Sequence, residues 1–88
     1  MDWAELLAAY QDRRFDTVLE QLSQPKTAAE CWLKGEALRG ESRFEEAENA
    51  QRNALELDPN HAQALLALGV TLTAQGKYDE AVEHFDAV

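Results

Sequence analysis

Two stretches of this sequence decide its fold: residues 35–47 read GEALRGESRFEEA, and residues 69–81 read GVTLTAQGKYDEA. Placed 34 positions apart, they share a Gly, a Leu, an aromatic residue, two acids and an Ala in one register. Chance would rarely align all of these. The match therefore indicates an internal repeat, the signature of architectures that stack one supersecondary unit on the next.

The composition predicts that the repeated units are helical. Ala, Leu, Glu and Gln, which are strong helix formers, dominate the 88 residues, and only 4 Gly and 2 Pro interrupt them. The connections between helical stretches are short, which favours antiparallel packing of neighbouring helices. The predicted helices span residues 2–11, 15–22, 28–39, 43–57, 61–75 and 78–88.

Polar residues before the helical stretches predict where several helices begin. Thr27-x-x-Glu30 and Ser42-x-x-Glu45 both match the capping box, in which a hydroxyl and a carboxylate satisfy free backbone N–H groups. Asn60 follows a Pro and is expected to cap the next helix.

Two further predictions concern the glycines. Gly76 is placed to end a helix in left-handed geometry. Gly35 and Gly69 fall in mid-helix, where each costs about 1 kcal/mol relative to Ala. Their repetition predicts that a paired helix approaches each of them closely.

Apolar spacing in the last unit predicts which faces meet. Leu65, Leu68 and Leu72 recur with Gly69 at helical spacing and form one stripe. The facing stripe of the last helix is expected to consist of Tyr78, Ala81, Val82 and Phe85.

On these residues the sequence resembles the tetratricopeptide repeat, whose pattern is W-x2-L-G-x2-Y, then A-x3-F, then P, with a period of about 34 residues. In the last unit the match rests on Leu65, Leu68, Gly69, Leu72, Ala81 and Phe85. The resemblance implies an all-α fold, in which antiparallel hairpins stack as a short right-handed solenoid of about three repeats. It divides a single domain, 1–88, into a degenerate first repeat (1–27), a second (28–61) and a third truncated at its C-terminal end (62–88).

Several positions depart from the family pattern. Lys34 replaces a Leu and Gln51 occupies the Phe site in the second unit, and Leu7 replaces the Gly in the first. The second helix of the first unit also lacks about five residues relative to the family's repeat length.

The resemblance implies a concave groove that is lined by the first helix of each hairpin and binds an extended or helical peptide. The candidate groove residues are Ala29, Trp32, Glu36, Arg39, Gln63, Leu66, Val70 and Thr73. The same expected face includes Gly40, Ala74, Met1, Ala4, Ala8, Gln11 and Asp12. Trp32 stands out because Trp is enriched at binding hot spots, although packing between hairpins would explain it equally well. Glu36 and Arg39 are expected to orient a ligand.

One subset of the family binds the C-terminal tails of chaperones with a clamp of Lys, Asn and Arg. The corresponding positions here hold Ala4, Ala8, Leu33, Gln63 and Ala67. Binding of chaperone tails is therefore disfavoured.

The charge and hydropathy of the chain exclude further classes of partner. The chain carries 17 Asp and Glu against 8 Lys and Arg, a net charge of −9. An acidic surface repels phosphate backbones and anionic lipid, so neither nucleic acid nor a membrane is expected as a partner. A signal peptide and a membrane-spanning run are both missing from the sequence, and a cytoplasmic location is therefore expected.

No pattern in the sequence suggests an enzyme, a cofactor or a metal ion. The single cysteine, Cys31, lies in an apolar stretch and is expected to be a buried core residue. His61 and His84 lack the spacing of a metal site, and each is expected to be a satisfied surface histidine.

Two functions remain open. The first is a protein-interaction scaffold that binds a protein or peptide in the groove. The alternative is self-association, or service as the docking or oligomerisation arm of a larger protein, enzymes included. Such a homo-oligomer would form through an uncapped C-terminal end, with Val82, Phe85 and Val88 as the contact face.

Overall fold

In a computed structural model, which describes residues 1–87, the chain forms six α-helices. These are α1 (Trp3–Gln11), α2 (Phe15–Gln21), α3 (Ala28–Gly40), α4 (Phe44–Leu57), α5 (Ala62–Ala74) and α6 (Tyr78–Ala87). Each predicted helix is confirmed, with ends that differ by one residue at most. The predicted end of the last helix, at Val88, lies outside the described residues.

Helices that follow one another in the chain pack together, and α3 also contacts α5. A first core cluster joins α1, α2 and α3 and consists of Leu6, Ala9, Val18, Leu22, Leu33 and Ala37. At the other end Leu68, Leu72 and Ala81 hold α5 against α6. The all-α fold of stacked helical hairpins is confirmed, whereas the right-handed turn and the count of three repeats stay predictions.

The helix starts confirm one capping prediction and correct two. Thr27 caps α3 in a full capping box with Glu30. Ser42 does not cap α4, because its backbone is left-handed (φ 63°) and an N-cap requires extended geometry. The N-cap of α5 is His61, not Asn60: the Nδ1 atom of His61 accepts the backbone N–H of Ala64 at 3.2 Å.

The left-handed residue is a repeated feature of the hairpin turns. Arg13, Ser42 and Gly76 each lie two residues before the second helix of a hairpin, with φ of 62°, 63° and 76°. The prediction for Gly76 is thus confirmed. At the other two turns a residue with a side chain adopts this geometry, at a cost of about 1–2 kcal/mol.

The expected close approach at the mid-helix glycines is confirmed. The ring of Phe85 on α6 covers Gly69, in the space that a β-carbon would need. At Gly35 a β-carbon would lie 2.8 Å from Cγ of Gln51 and 3.2 Å from the backbone carbonyl oxygen of Ala47. Both glycines therefore let the two helices of a hairpin come together.

Gln51, which replaces the Phe of the family pattern, lowers the stability of its hairpin. Gln51 is fully buried, and within residues 1–87 neither its amide oxygen nor its amide nitrogen has a hydrogen-bond partner. Each such buried polar group costs about 1–3 kcal/mol. Position 51 therefore fills the space beside Gly35 but stabilises the hairpin less than an aromatic residue would.

The predicted stripe on α6 is wrong for two of its four residues. Ala81 is buried and Phe85 packs on Gly69, but Tyr78 and Val82 are mostly exposed. The reason is that α6 packs mainly on α5, and its contact with α4 includes the ion pair between Glu80 and Arg52 at 3.7 Å. Val82 therefore points away from its partner helix.

A partly buried carboxylate joins α4 to the turn between α5 and α6. Glu48 accepts hydrogen bonds from Gln75 at 2.8 Å and from Lys77 at 3.0 Å, and it pairs with Arg52 at 2.8 Å. Burial alone would raise the pKa of Glu48, but its three donors outweigh burial and hold the pKa at about 2. This contact fastens the hairpin formed by α5 and α6 to the preceding one.

We expect Gly35→Ala to destabilise the fold and Gly69→Ala to leave it nearly unchanged. At position 35 the new methyl group meets the inner part of a side chain and a backbone carbonyl, which cannot yield, so the loss should be about 1–3 kcal/mol. At position 69 it meets the far end of the half-exposed Phe85 ring, which can rotate away. Urea unfolding of both variants measures the difference, and equal free energies of unfolding would contradict the account.

A second prediction concerns the pH dependence of stability. The pKa of Glu48 is lowered in the folded state, so its contribution is complete above the unfolded pKa of about 4.3 and is lost as the pH falls towards 2. Glu48→Gln should lower the free energy of unfolding at pH 7 by about 1.5–3 kcal/mol. The difference between the variant and the parent should shrink as the pH falls from about 4 and disappear as it falls through about 2.

The control for this prediction is Glu46→Gln, since Glu46 pairs with Arg43 at the exposed surface of the same helix. That variant should change stability at pH 7 far less. A Glu48→Gln deficit that persists undiminished at pH 2 would show that the charge of Glu48 is not its cause.

Candidate functional site

The structure brings six of the eight predicted groove residues together around one pocket between α3 and α5, with a volume of about 160 Å³. They are Trp32, Glu36, Arg39, Gln63, Leu66 and Val70. Ala67 completes the lining. The other two do not line it: Ala29 is half-buried on α3, and the Thr73 hydroxyl donates to the carbonyl of Gly69 at 2.9 Å.

The wall formed by α5 is apolar and unusually exposed. Leu66 is 62% exposed and Val70 is 38% exposed. Leaving such side chains in water forgoes about 1.5–3 kcal/mol each relative to full burial. These two residues therefore give the pocket a surface that gains free energy when a ligand covers it.

Trp32 has two roles in the structure. It packs against the core clusters on both sides of α3, and its ring centroid lies 6.4 Å from that of His61. It is nevertheless only half-buried and also lines the pocket. The indole therefore packs between hairpins and still offers part of its surface to a ligand.

The polar side of the pocket is held by a three-residue network. Glu36 is only 7% exposed, and its carboxylate accepts the Tyr10 hydroxyl at 3.0 Å and the Arg39 guanidinium at 2.6 Å. The hydrogen bond from Arg39 to Glu36 raises the pKa of Arg39. Burial, together with the charge of Glu36, raises the pKa of Tyr10.

This network separates the expected roles of the two charged residues. The Glu36 carboxylate is occupied within the protein, so Glu36 positions Arg39 and does not itself face outward. The Arg39 side chain is 32% exposed and keeps donors available at the pocket. Sequence reasoning missed Tyr10, which lies 26 residues from Glu36 and belongs to another hairpin.

The remaining predicted residues lie elsewhere. Gly40 does not line this pocket, and the ring of Phe15 packs against it in the space that a β-carbon would need, between α2 and α3. Val82 is 58% exposed on α6, and Phe85 is partly exposed above Gly69. Val88 lies outside the described residues. In the part of the chain that is described, the pocket lining contains none of Met1, Ala4, Ala8, Gln11, Asp12 or Ala74.

The groups that could support chemistry have structural roles. Cys31 is buried as expected, and burial raises the pKa of its thiol. His61 and His84 are half-buried, not on the surface as expected. His61 caps α5, and Nε2 of His84 bonds the carbonyl of Leu65.

The described residues offer neither a cluster of metal ligands nor a helix that could span a membrane. Between residues 1 and 87, His, Cys, Asp and Glu side chains do not gather into any group of three or more that could bind a metal ion. Over the same range, every helix is too short or too polar to cross a membrane.

Comparison with known families gives one match. The model of the tetratricopeptide repeat matches residues 33–88, which is more than half of the chain and includes α4, α5, α6 and most of α3. No curated protein and no solved structure matches the chain significantly. Tetratricopeptide repeats generally mediate protein–protein interactions, and the family typically consists of scaffolds without enzymatic activity.

Proposed function

The chain belongs to the tetratricopeptide repeat family, and we propose that it is a protein-interaction scaffold that binds a peptide segment of a partner protein in the pocket between α3 and α5. The observation that carries this proposal is the exposure of Leu66 and Val70 beside the half-buried Trp32. Aromatic and apolar anchors of this kind dominate the binding energy of interfaces.

The size of the pocket suits one apolar side chain of the partner. Its volume is about 160 Å³, and an apolar cavity of about 150 Å³ accommodates benzene. A Phe, Leu or Met side chain of the peptide would therefore fill the pocket. Contact with Trp32, Leu66 and Val70 would remove apolar surface of both partners from water.

Arg39 supplies orientation in this proposal. Its guanidinium is held by Glu36 and so is fixed before the ligand arrives, which lowers the entropy cost of binding. An exposed N–H group can donate to a backbone carbonyl or a carboxylate of the peptide. Because Glu36 balances the charge of Arg39, the pocket does not demand an acidic ligand.

Further proposals concern the location, chemistry, partners and repeat boundaries of the chain. We propose that the chain acts in the cytoplasm, without a cofactor and without catalysis of its own. Its net charge of −9 disfavours nucleic acid and anionic membranes as partners. The proposed repeats are residues 1–27, 28–61 and 62–88.

Peptides selected against the chain from a random library test the pocket. Leu66→Asp should weaken their binding by at least about 1 kcal/mol, because a carboxylate replaces an apolar anchor. Isothermal titration calorimetry measures the affinity, and circular dichroism checks that the helices persist. Trp32→Ala should weaken binding too, but Trp32 also packs in the core, so Leu66 is the cleaner site.

The matched control is Val82→Asp, which makes the same kind of change at an equally exposed residue on α6. It should leave peptide affinity unchanged. If a folded Leu66→Asp chain binds the selected peptides as tightly as the parent, the site does not lie in this pocket.

A second candidate function is self-association through α6. Val82 lies 34 positions after Glu48 of α4, and Glu48 matches Leu19 of α2 when the two helices are aligned on their first residues, Phe44 and Phe15. Glu48 bonds the following turn, and Leu19 packs on the following hairpin. The position of Val82 is thus one that contacts the next unit of a stack. We propose that the face comprising Val82, Phe85 and Val88 can pair with a second copy or with another domain.

Analytical ultracentrifugation tests this second function. The parent chain should sediment as a concentration-dependent oligomer at tens of micromolar, and Val82→Asp should sediment as a monomer, since a charge in an apolar interface opposes association. Here Leu66→Asp is the control and should behave like the parent. A parent chain that stays monomeric at every concentration would contradict self-association.

A further inference from the structure

We propose a second binding surface, the groove between α3 and α4 beside the shortened α2, which accepts an amphipathic helix of a partner protein with a leucine-type residue on one face and basic residues beside it. This inference goes beyond the pocket between α3 and α5. It rests on an unfilled position in the chain's own repeat.

The groove is the larger of the two surfaces, with a volume of about 480 Å³. Its floor includes Cys31, Leu38 and Ala50, all of which are buried. Lys34 stands on the α3 side, and Pro25 of the loop after α2 closes one end. A narrow apolar floor between two helices is a surface into which the side chains of a third helix can pack.

The following hairpin shows what occupies the equivalent groove. There, Leu55 of α4 packs against the cluster of Leu68, Leu72 and Ala81, which lies between α5 and α6. Leu55 therefore covers part of that groove, and a smaller cavity of about 290 Å³, whose lining includes Leu68, Leu72 and Glu83, stays open beside it.

The same cover is missing one unit earlier. The counterparts of Leu68, Leu72 and Ala81, 34 positions back, are Lys34, Leu38 and Ala47. Leu19 of α2 packs at the Leu38 and Ala47 end. When α2 and α4 are aligned on their first residues, the position that matches Leu55 is Lys26. However, α2 has only seven residues, against fourteen in α4, and ends before Lys26.

The departure of Lys34 from the family pattern agrees with an open groove. Leu68, under Leu55, is 2% exposed, whereas Lys34 is half-buried and reaches the carbonyl of Ser23 at 3.5 Å. A lysine is costly beneath an apolar cover, because its ammonium group would lose water. At this position it keeps access to solvent.

Charge on the opposite wall selects the flanking residues of the partner helix. The α4 wall carries Glu46, Asn49, Asn53 and Glu56. Glu46 is already paired with Arg43 at 2.7 Å, so basic side chains of a bound helix would face the Glu56 carboxylate and the two amides while its leucine reaches the floor. The net charge of −9 favours the approach of the same basic partner.

A synthetic amphipathic peptide of about 15 residues, long enough to form a helix, serves as the probe. It carries leucines along one face and lysines on both sides of that face. In nuclear magnetic resonance titrations it should shift the side-chain amide signals of Asn49 and Asn53, with little effect on the signals of Gln63 and Leu66. The same peptide with glutamates in place of the lysines should bind more weakly. Shifts centred on Gln63 and Leu66 would overturn the proposal.

Charge substitutions on the α4 wall test the predicted orientation. The double variant Asn53→Lys, Glu56→Lys should weaken binding of the lysine peptide about fivefold to tenfold, since two exposed wall positions become repulsive. The double variant Asn60→Lys, Glu83→Lys adds the same charge at exposed positions outside the groove and should bind as the parent does. Equal weakening in both variants would overturn the assignment.

Filling the groove within the chain tests the proposal independently. An insertion of five residues between Leu22 and Pro25 that continues α2 and places a leucine over Lys34 and Leu38 should abolish binding of the lysine peptide. It should also raise the melting temperature, since the chain then covers its own groove. Undiminished binding by the extended, folded chain would show that the peptide binds elsewhere. Concentration-dependent shifts of Asn49 and Asn53 without peptide would assign the groove to a second copy and overturn the proposal.

Discussion

The contact between a mid-helix glycine and a side chain sixteen positions later sets the geometry on which the rest of this protein depends. Gly35 receives Gln51, and Gly69 receives the ring of Phe85. A β-carbon at either glycine would push the two helices of the hairpin apart or displace the side chain that covers it. The ring of Phe15 also packs against Gly40, the last residue of α3, and joins α2 to α3. Because these contacts fix the helix spacing, they also decide where grooves open between neighbouring helices.

Two surfaces follow from this stacking. Between α3 and α5, the first helices of successive hairpins leave a pocket whose apolar wall is exposed and whose Arg39 is held in place from behind. On another side of α3, the short α2 leaves a groove of about 480 Å³ against α4, whereas Leu55 leaves only about 290 Å³ open in the equivalent groove of the following hairpin. Both surfaces use backbone positions that the repeat specifies. The side chains at those positions are particular to this chain, and they decide what it binds.

Much of the fold could be predicted from the sequence, because its signals are local or repeated. Helix bounds follow from composition and apolar spacing, and the 34-residue register identifies Gly35 and Gly69. The predictions that failed needed the backbone geometry. Ser42 has the right residue type for a cap, but the turn holds it in a left-handed conformation, and a histidine takes the place expected of Asn60.

The residues of the pocket likewise divide into those that could be predicted from the sequence and those that depend on the three-dimensional structure. Six of its residues could be predicted because the repeat assigns one face of each first helix to the groove. The role of Glu36 could not, since it depends on Tyr10 from another hairpin and on burial that no local pattern encodes. The open groove beside α2 is in turn the structural result of a deletion that is visible in the sequence, and its consequence becomes clear only when Leu55 is seen covering the following hairpin.

The close approach at the glycines is the central claim, and nuclear Overhauser effects measure it most directly. The account predicts strong effects from the α-protons of Gly69 to the ring protons of Phe85, and from those of Gly35 to the side chain of Gln51. Ring currents should also shift the Gly69 α-protons away from their ordinary frequencies. If these effects are missing and the Gly69 α-protons resonate at their ordinary position in the folded chain, the helices do not approach as described, and the assignment of both binding surfaces would fail with that contact.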